Sequence, residues 1–172
     1  VWGMTGSGVA FDPEKALDQI FYRFVTKFDK DAGRDVRTDD MVFETVRRKL
    51  VRAEIYYLFE PYVVRSKFAN ISFSHAIKNG KWHVIQGLSF DSADEEHMLN
   101  KAARWAGRLQ SISECEERDR PYFVTGAPSI PSLMPQYRRM VEFLRVSPLK
   151  PVVMDESQAD DLVAKVAAHV SR

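Results

Sequence analysis

Three basic side chains recur at helical spacing in the middle of the chain, with a tryptophan beside them. Lys101, Arg104 and Arg108 share one face of a predicted helix, and Trp105 lies next to them. Cations beside an aromatic ring are the residue types that contact phosphates and bases. The chain has 25 basic and 24 acidic residues, a formal net charge of +1. This balance favours the simpler alternative of a solvated helix face.

The four histidines do not form a metal-binding pattern. His75 and His83 flank an Asn-Gly turn whose expected register pairs His75 with Val84 and projects the two imidazoles from opposite sheet faces. His97 has no second ligand four residues later, and His169 lies near the end of the chain. A zinc ion needs several converging ligands, so we expect neither a metal nor another cofactor.

Cys115 is the only cysteine, and Glu114, Glu116 and Glu117 surround it. Neighbouring carboxylates disfavour the thiolate, which argues against an activated nucleophile. A single cysteine cannot form an internal disulfide, and we expect a cytoplasmic protein. The sequence contains no run of about 18 apolar residues, so we do not expect a membrane partner.

A hairpin over residues 68–90 is the clearest local pattern. Alternating runs flank Asn79-Gly80, a dipeptide that suits the two positive φ angles of a type I′ turn. The register set by such a turn opposes Ile77 to Trp82 and Phe73 to Gln86. One face of the predicted hairpin is then apolar except for two side chains and holds Ile71, Phe73, His75, Ile77, Trp82, Val84, Gln86 and Leu88.

Helices and strands are predicted on both sides of this hairpin. One helix is expected from Asp12 and another from Thr38, since both residue types cap helices. A strand follows over residues 59–64, where Pro61 favours an edge position. After the hairpin, a long helix is expected near Asp94, followed by a strand, a helix, a strand and a helix.

The long helix after the hairpin has two distinct faces. Its inward face is predicted to carry Met98, Ala102, Ala106 and Leu109. The basic residues described above then lie on the opposite face, exposed to solvent.

The elements together predict one α/β domain over residues 12–172, preceded by a flexible lead-in over residues 1–11. Its mixed sheet has the antiparallel hairpin at its centre and helices around it. The predicted order is α-α-β-β-β-α-β-α-β-α, and the alternation in the second half implies partly parallel pairing. Because the chain begins with Val1 instead of Met, we expect it to be part of a longer polypeptide.

The order of a helix, three strands, a long helix and a further strand resembles the restriction-endonuclease-like fold, known for its PD-(D/E)xK motif. The resemblance covers roughly residues 12–126. In that family an Asp on the second strand and Glu-x-Lys on the third hold a divalent metal and activate water for phosphodiester cleavage. In this chain Ser72 takes the Asp position, and Gln86 and Leu88 take the Glu and Lys positions.

All three positions depart from the pattern of that family. Mg²⁺ needs anionic oxygens, whereas Ser72 and Gln86 are neutral. Leu88 cannot supply an ammonium to stabilise charge in the transition state. The resemblance therefore implies an inactive metal site. An unrelated α/β sheet, in which Gln86 is simply a hydrogen-bonded strand residue, is an equally open interpretation.

The sequence favours a non-catalytic interaction or regulatory domain over an enzyme. The resemblance adds a nucleic-acid-linked or defence-type system as its context. We expect the partner to be another domain or protein, with weak binding of nucleic acid through Lys101, Arg104, Trp105 and Arg108 as the second choice.

Two other functions are open alternatives. One is a metal-dependent nuclease whose acidic residues have moved to Glu54, Glu60 or Asp91. The other is a small-molecule sensor with a pocket beside Ser72, Ser74 and His83.

Overall fold

The computed structural model describes residue 17 and residues 35–92, 94–114 and 120–170. Apart from Leu17, the lead-in and the helix expected from Asp12 lie outside these residues, and so do Cys115, Glu116 and Glu117. The chain divides into two compact units, Val1–Asp35 and Val36–Arg172. The second unit contains the sheet.

From residue 35 onward, helices and strands follow one another in the predicted α/β order. They are α1 (Asp39–Arg52), β1 (Glu60–Arg65), β2 (Asn70–Asn79), β3 (Lys81–Ser89), α2 (Glu95–Ile112), β4 (Arg120–Gly126), α3 (Met134–Arg145), β5 (Val152–Asp155) and α4 (Ala159–Val170). Short 3-10 helices at Tyr56–Leu58, Pro131–Leu133 and Glu156–Gln158 connect some of them.

The five strands form one mixed sheet in the order β1-β2-β3-β4-β5. β1, β2 and β3 are antiparallel neighbours, and β3, β4 and β5 are parallel. The predicted mixed pairing is therefore confirmed. Pro61 lies in β1, at one edge of this sheet, where its missing N–H need not cost a ladder hydrogen bond.

Helix α1 begins where its cap was predicted. The Thr38 hydroxyl accepts a hydrogen bond from the backbone N–H of Met41, and two aspartates occupy the positive end of the helix. The helix ends at Arg52. Glu54 then adopts a φ of 56°, which takes the chain out of the helix and into the turn before β1.

The sheet lies between two helical layers, each with its own apolar core. Helices α2 and α3 cover one face, and helices α1 and α4 cover the other. The α2-side core contains Ile71, Phe73, Val84, Leu88, Met98, Trp105, Leu109, Phe123 and Leu144, among others. The α1-side core contains Val42, Phe43, Val46, Leu50, Ile77, Ile85, Tyr122, Val124 and Leu162, among others.

The predicted hairpin is confirmed, but its register is shifted by one residue. Ile77 pairs with His83, and Lys78 pairs with Trp82. Gly80 has a φ of 66°, whereas Asn79 does not adopt a positive φ. The type I′ turn was therefore a wrong prediction, because only one turn position requires the left-handed region.

A bulge in β2 is the second departure from the predicted hairpin. Glu60 of β1 pairs with Ala76, whereas Tyr62 pairs with Phe73. One more residue of β2 than of β1 lies between these pairs, opposite Pro61. An extra residue reverses the alternation of side chains, because neighbouring side chains in a strand point to opposite faces.

The shifted register places both central histidines on the α1 side of the sheet, and the bulge leaves Phe73 on the other side. The His75 ring stacks on Phe43 of α1, with ring centroids 3.7 Å apart. Nδ1 of His83 lies 3.4 Å from the hydroxyl oxygen of Tyr122, a residue of the α1-side core. The predictions of opposite faces for the histidines, and of one shared face for Phe73, His75 and Ile77, were therefore wrong.

Two glycines let α1 lie directly on the sheet. A Cβ atom on Gly87 of β3 would overlap the carbonyl oxygen of Asp39 and come within 2.9 Å of the backbone nitrogen of Phe43. A Cβ atom on Gly126 of β4 would lie 2.5 Å from a methyl group of Val42. These close approaches hold the first turn of α1 against the carboxyl end of β3.

We predict that Gly87→Ala destabilises the fold, because the new methyl group meets backbone atoms that cannot rotate away. The free energy of unfolding should fall by roughly 1–3 kcal/mol or more in chemical denaturation. Gly107→Ala is the matched control, because a Cβ atom there meets nothing within 4 Å and lies on helix α2. It should raise stability by about 0.5–1 kcal/mol. Equal effects of the two substitutions would contradict the close packing of α1.

Candidate ligand-binding groove

A groove of about 200 Å³ brings together residues from two separate predictions. The hairpin positions of the nuclease resemblance and the basic helix residues were predicted independently. They now line one surface with a residue of α1, and the lining consists of Asp39, Ser72, Gln86, Lys101, Arg104, Trp105 and Arg108. We call this surface the groove.

The groove lies where β2 and β3 separate. Within the part of the chain that the structure describes, these two strands pair only at residues 76–79 with 81–84. Beyond that point each strand stays paired with its other neighbour. Ser72 faces Val63 in β1, and Gln86 faces Phe123 in β4. The separation leaves an opening between the strands that Ser72 and Gln86 line.

A hydrogen-bonded ion pair closes one side of the groove. One carboxylate oxygen of Asp39 accepts from the backbone N–H of Ser89 at 2.7 Å and from the Lys101 ammonium at 2.8 Å. The same ammonium donates to the carbonyl oxygen of Ser89 at 2.7 Å. These bonds join the start of α1, the end of β3 and helix α2. We call the three residues the Asp39–Ser89–Lys101 bridge.

The bridge changes the role expected for Lys101 and adds a residue that the sequence analysis missed. Lys101 is half-buried and ion-paired, so its predicted full exposure was wrong. Asp39 was not singled out, because an acidic residue in the first turn of a capped helix is already explained by the helix dipole.

Helix α2 turns a slightly different stripe towards the core than predicted. Met98, Ala102 and Leu109 are buried as expected, but Ala106 is only half-buried. Trp105 is buried instead, with 6% of its surface exposed. The spacing from residue 98 through 102, 105 and 109 follows the helical period more closely, which explains the correction.

The burial of Trp105 determines what its ring can do. Its centroid lies 6.1 Å from that of Phe73 and 5.2 Å from that of Phe123, within the α2-side core. The ring therefore offers no open face on which a base could stack. It supports Arg108, whose guanidinium carbon lies 4.7 Å from the ring centroid.

The groove carries an excess of positive charge. Among the described residues that line it, three basic side chains stand against the single carboxylate of Asp39, which leaves a charge of +2. Because Lys101 is paired with Asp39, the excess rests on Arg104 and Arg108, and both are exposed. Each guanidinium presents several hydrogen-bond donors and no acceptor, so anions are the ligands that it favours.

Leu88, the third position of the nuclease resemblance, lies elsewhere. Its side chain is fully buried in the α2-side core and does not line the groove. Of the three residues proposed for a sensor pocket, Ser72 lines the groove. Ser74 is exposed and does not line it, and His83 is buried on the α1 side of the sheet, beside Tyr122.

The three acidic residues considered for a relocated metal site are not gathered at one place. Asp91 is buried after β3, where it accepts hydrogen bonds from the backbone N–H of Arg37 and from the hydroxyl of Ser129. Glu60 pairs with Ala76 of β2, and Ala76 pairs with Val84 of β3. Val84 precedes Asp91 by seven residues, which is about 23 Å at the rise of an extended strand. Glu54 follows the far end of α1. Among the described residues, no group of three or more His, Cys, Asp or Glu side chains could hold a metal ion.

A second cavity, of about 360 Å³, opens at the carboxyl ends of β4 and β5. At its wall the Tyr137 hydroxyl donates to Asp155 at 3.1 Å and lies 2.7 Å from the Thr125 hydroxyl. Burial, more than any other cause, raises the pKa of Tyr137 to about 12. The phenol therefore stays protonated and acts as a donor within this network.

Comparison of the chain with protein-family models, curated proteins and solved structures gave no match. In the described ranges, no helix is long and apolar enough to span a membrane. Inference about function therefore rests on the geometry of the chain itself.

The stacked His75 should make stability depend on pH. Burial lowers the pKa of His75, with a smaller lowering from Arg47 and an opposing effect of Asp40. The unfolded chain then binds the proton more tightly than the folded chain. The contribution of neutral His75 is complete above its unfolded pKa of about 6.5 and is lost as the pH falls below it.

We predict that the pH dependence of unfolding weakens in His75→Phe, which keeps the stacking but cannot titrate. Urea denaturation from about pH 7.5 to about pH 5 should show a smaller loss of stability in this variant than in the wild type. A His75→Phe profile parallel to that of the wild type would rule out this assignment.

Proposed function

We propose that this chain is a non-catalytic domain that binds the phosphate backbone of nucleic acid in the groove between β2 and β3. The observation that carries the proposal is the convergence of two exposed guanidinium groups with the neutral Ser72 and Gln86 in one groove. A regulatory or interaction role in a nucleic-acid-linked or defence-type cytoplasmic system is the wider context that we propose.

The chemistry of the lining favours a phosphate over an uncharged ligand. The side chain of Arg104 has no partner among the described residues, and that of Arg108 contacts only the face of Trp105 there. Ser72 and Gln86 line the same groove and are uncharged, and the Gln86 amide donates a hydrogen bond to the carbonyl oxygen of Gly87 at 2.9 Å. The volume of about 200 Å³ is smaller than the roughly 300–1,000 Å³ usual for a small-molecule pocket. The groove therefore suits one phosphate of a longer chain better than an enclosed metabolite.

The residues of the groove also favour binding without cleavage. Metal-assisted hydrolysis of a phosphodiester requires anionic ligands that hold the cation against water. Among the described residues, Asp39 is the only carboxylate that lines the groove, and it is already bonded to Lys101 and Ser89. Ser72 and Gln86 are neutral.

A degenerate restriction-endonuclease-like fold is part of the same proposal. Helix α1, the antiparallel strands β1 to β3, helix α2 and the parallel strand β4 follow the element order on which the resemblance rests. The meeting of Ser72 and Gln86 in one groove further supports the proposal, because the resemblance assigns both to the metal-holding positions.

We predict that replacing both exposed arginines weakens binding to a labelled DNA duplex. Fluorescence anisotropy should give a wild-type Kd on the order of 10⁻⁴–10⁻⁶ M near physiological salt, with an affinity that falls as salt rises. In Arg104→Ala/Arg108→Ala, the affinity should fall about tenfold or more. The slope of log K against log salt should become shallower by about 1.8, because each phosphate that is no longer neutralised accounts for about 0.9 of the slope.

The control is Arg138→Ala/Arg139→Ala, which removes the same charge from exposed positions on α3. It should leave the affinity close to that of the wild type. Equal reductions in affinity in the two double variants, or binding that ignores salt, would contradict a phosphate site in the groove. Cleavage of the duplex with Mg²⁺ or Mn²⁺ that disappears in Asp39→Asn would favour the metal-dependent nuclease instead.

A further inference from the structure

The Lys101 ammonium is held by the kinds of atoms that bind a hard metal ion. Its two short hydrogen bonds go to a carboxylate oxygen of Asp39 and to the carbonyl oxygen of Ser89. Ser72 and Gln86, whose side chains carry a hydroxyl group and an amide group, line the same groove. Carboxylate, carbonyl, amide and hydroxyl oxygens are also the ligands that Ca²⁺ and Mg²⁺ take from proteins.

We propose that Lys101 serves as a built-in cation, and that its ammonium occupies the position that a divalent metal would take between Asp39 and the end of β3. The protein then binds its anionic ligand without a metal ion. The claim that an anionic ligand binds beside Lys101 rests on the function proposed above. The claim that Lys101 occupies a cation position does not.

The geometry gives the ammonium two tasks. It neutralises the carboxylate of Asp39, which lines the groove and would otherwise repel a phosphate. An ammonium group has three donors, and the hydrogen bonds to Asp39 and Ser89 use two of them. The third donor has no hydrogen-bond partner among the described residues and is available to a ligand in the groove. An ammonium bonded to Asp39 also repels a divalent ion from the same oxygen atoms.

A purely structural ion pair is the competing interpretation, and it predicts a different result. If Lys101 only ties α2 to α1, its removal lowers stability in a way that no divalent ion restores. If Lys101 takes the place of a cation, its removal leaves oxygen ligands around an empty position. A divalent ion should then bind there and restore part of the stability.

The test is the thermal unfolding of Lys101→Ala with CaCl2 or MnCl2 at about 10 mM, compared with EDTA and with NaCl of equal ionic strength. One carboxylate gives a site weaker than the roughly 10⁻³ M end of the usual Ca²⁺ range, so we expect Tm to rise by about 1–2 °C in this variant. The wild type should show no such rise. Lys101→Ala/Asp39→Asn should show none either, because the anionic ligand is gone.

Lys49→Ala is the matched control for removing an ion pair. Lys49 bridges α1 to Asp160 of α4, and its side chain is 29% exposed, against 27% for Lys101. Ca²⁺ should not stabilise this variant. A Tm of Lys101→Ala that is the same with Ca²⁺, with Mn²⁺ and without either would overturn the proposal, as would an equal rise in the wild type or in Lys49→Ala.

A variant that fails to fold would still decide the question. If Lys101→Ala is unfolded in EDTA, recovery of the folded circular-dichroism spectrum with Ca²⁺, but not with matched NaCl, supports the proposal. Failure to recover in both Lys101→Ala and the milder Lys101→Ser contradicts it. None of these measurements uses nucleic acid, so their failure is distinguishable from failure of the proposed function.

Binding of the labelled duplex, measured with and without Ca²⁺, tests whether the cation position contributes to ligand binding. Wild-type binding of the labelled duplex should be the same in EDTA and in Ca²⁺ at equal ionic strength, whereas binding by Lys101→Ala should be stronger in Ca²⁺. Wild-type binding that needs Ca²⁺ would overturn the idea of a built-in cation. Absence of any binding by the wild type would overturn the proposed function while leaving the thermal test intact.

Discussion

The side chain of Asp39 holds together the elements that form the groove. Its carboxylate bonds at once to the backbone N–H of Ser89 and to Lys101, and so fixes the start of α1, the end of β3 and the middle of α2. Gly87 makes this arrangement feasible, because α1 could not lie so close to a residue with a side chain. Together with the α2-side core, this bridge sets the position of the α2 arginines relative to Ser72 and Gln86.

The Asp39–Ser89–Lys101 bridge also explains why the described part of the groove is cationic. Asp39 is engaged in an internal ion pair, which leaves the exposed Arg104 and Arg108 to set the sign of the field. A hydrogen-bonded ion pair at a half-buried position is costly to break, because each partner would then be left without its counter-charge. The arrangement therefore suits the static recognition of an anion.

Helix starts and turns were predictable from neighbouring residues, whereas the strand bulge and the ion pair of Lys101 depend on residues far apart in the sequence. Thr38 and Asn79-Gly80 determine a helix start and a turn through neighbouring atoms alone, so both were predictable. The bulge in β2 arises from pairing with β1 around Pro61, and it puts Phe73 and His75, which were expected on one face, on opposite faces. The ion pair of Lys101 joins residues 62 positions apart, so no spacing rule could have revealed it.

The most direct test of a phosphate site in the groove is a nuclear magnetic resonance titration that follows arginine Nε–Hε and glutamine side-chain signals as a short DNA duplex is added. We expect the Arg104, Arg108 and Gln86 signals to shift together and saturate, while those of Arg138 and Arg139 on α3 stay in place. Shifts confined to Arg138 and Arg139, or a titration that leaves the groove signals unchanged, would contradict the proposed site.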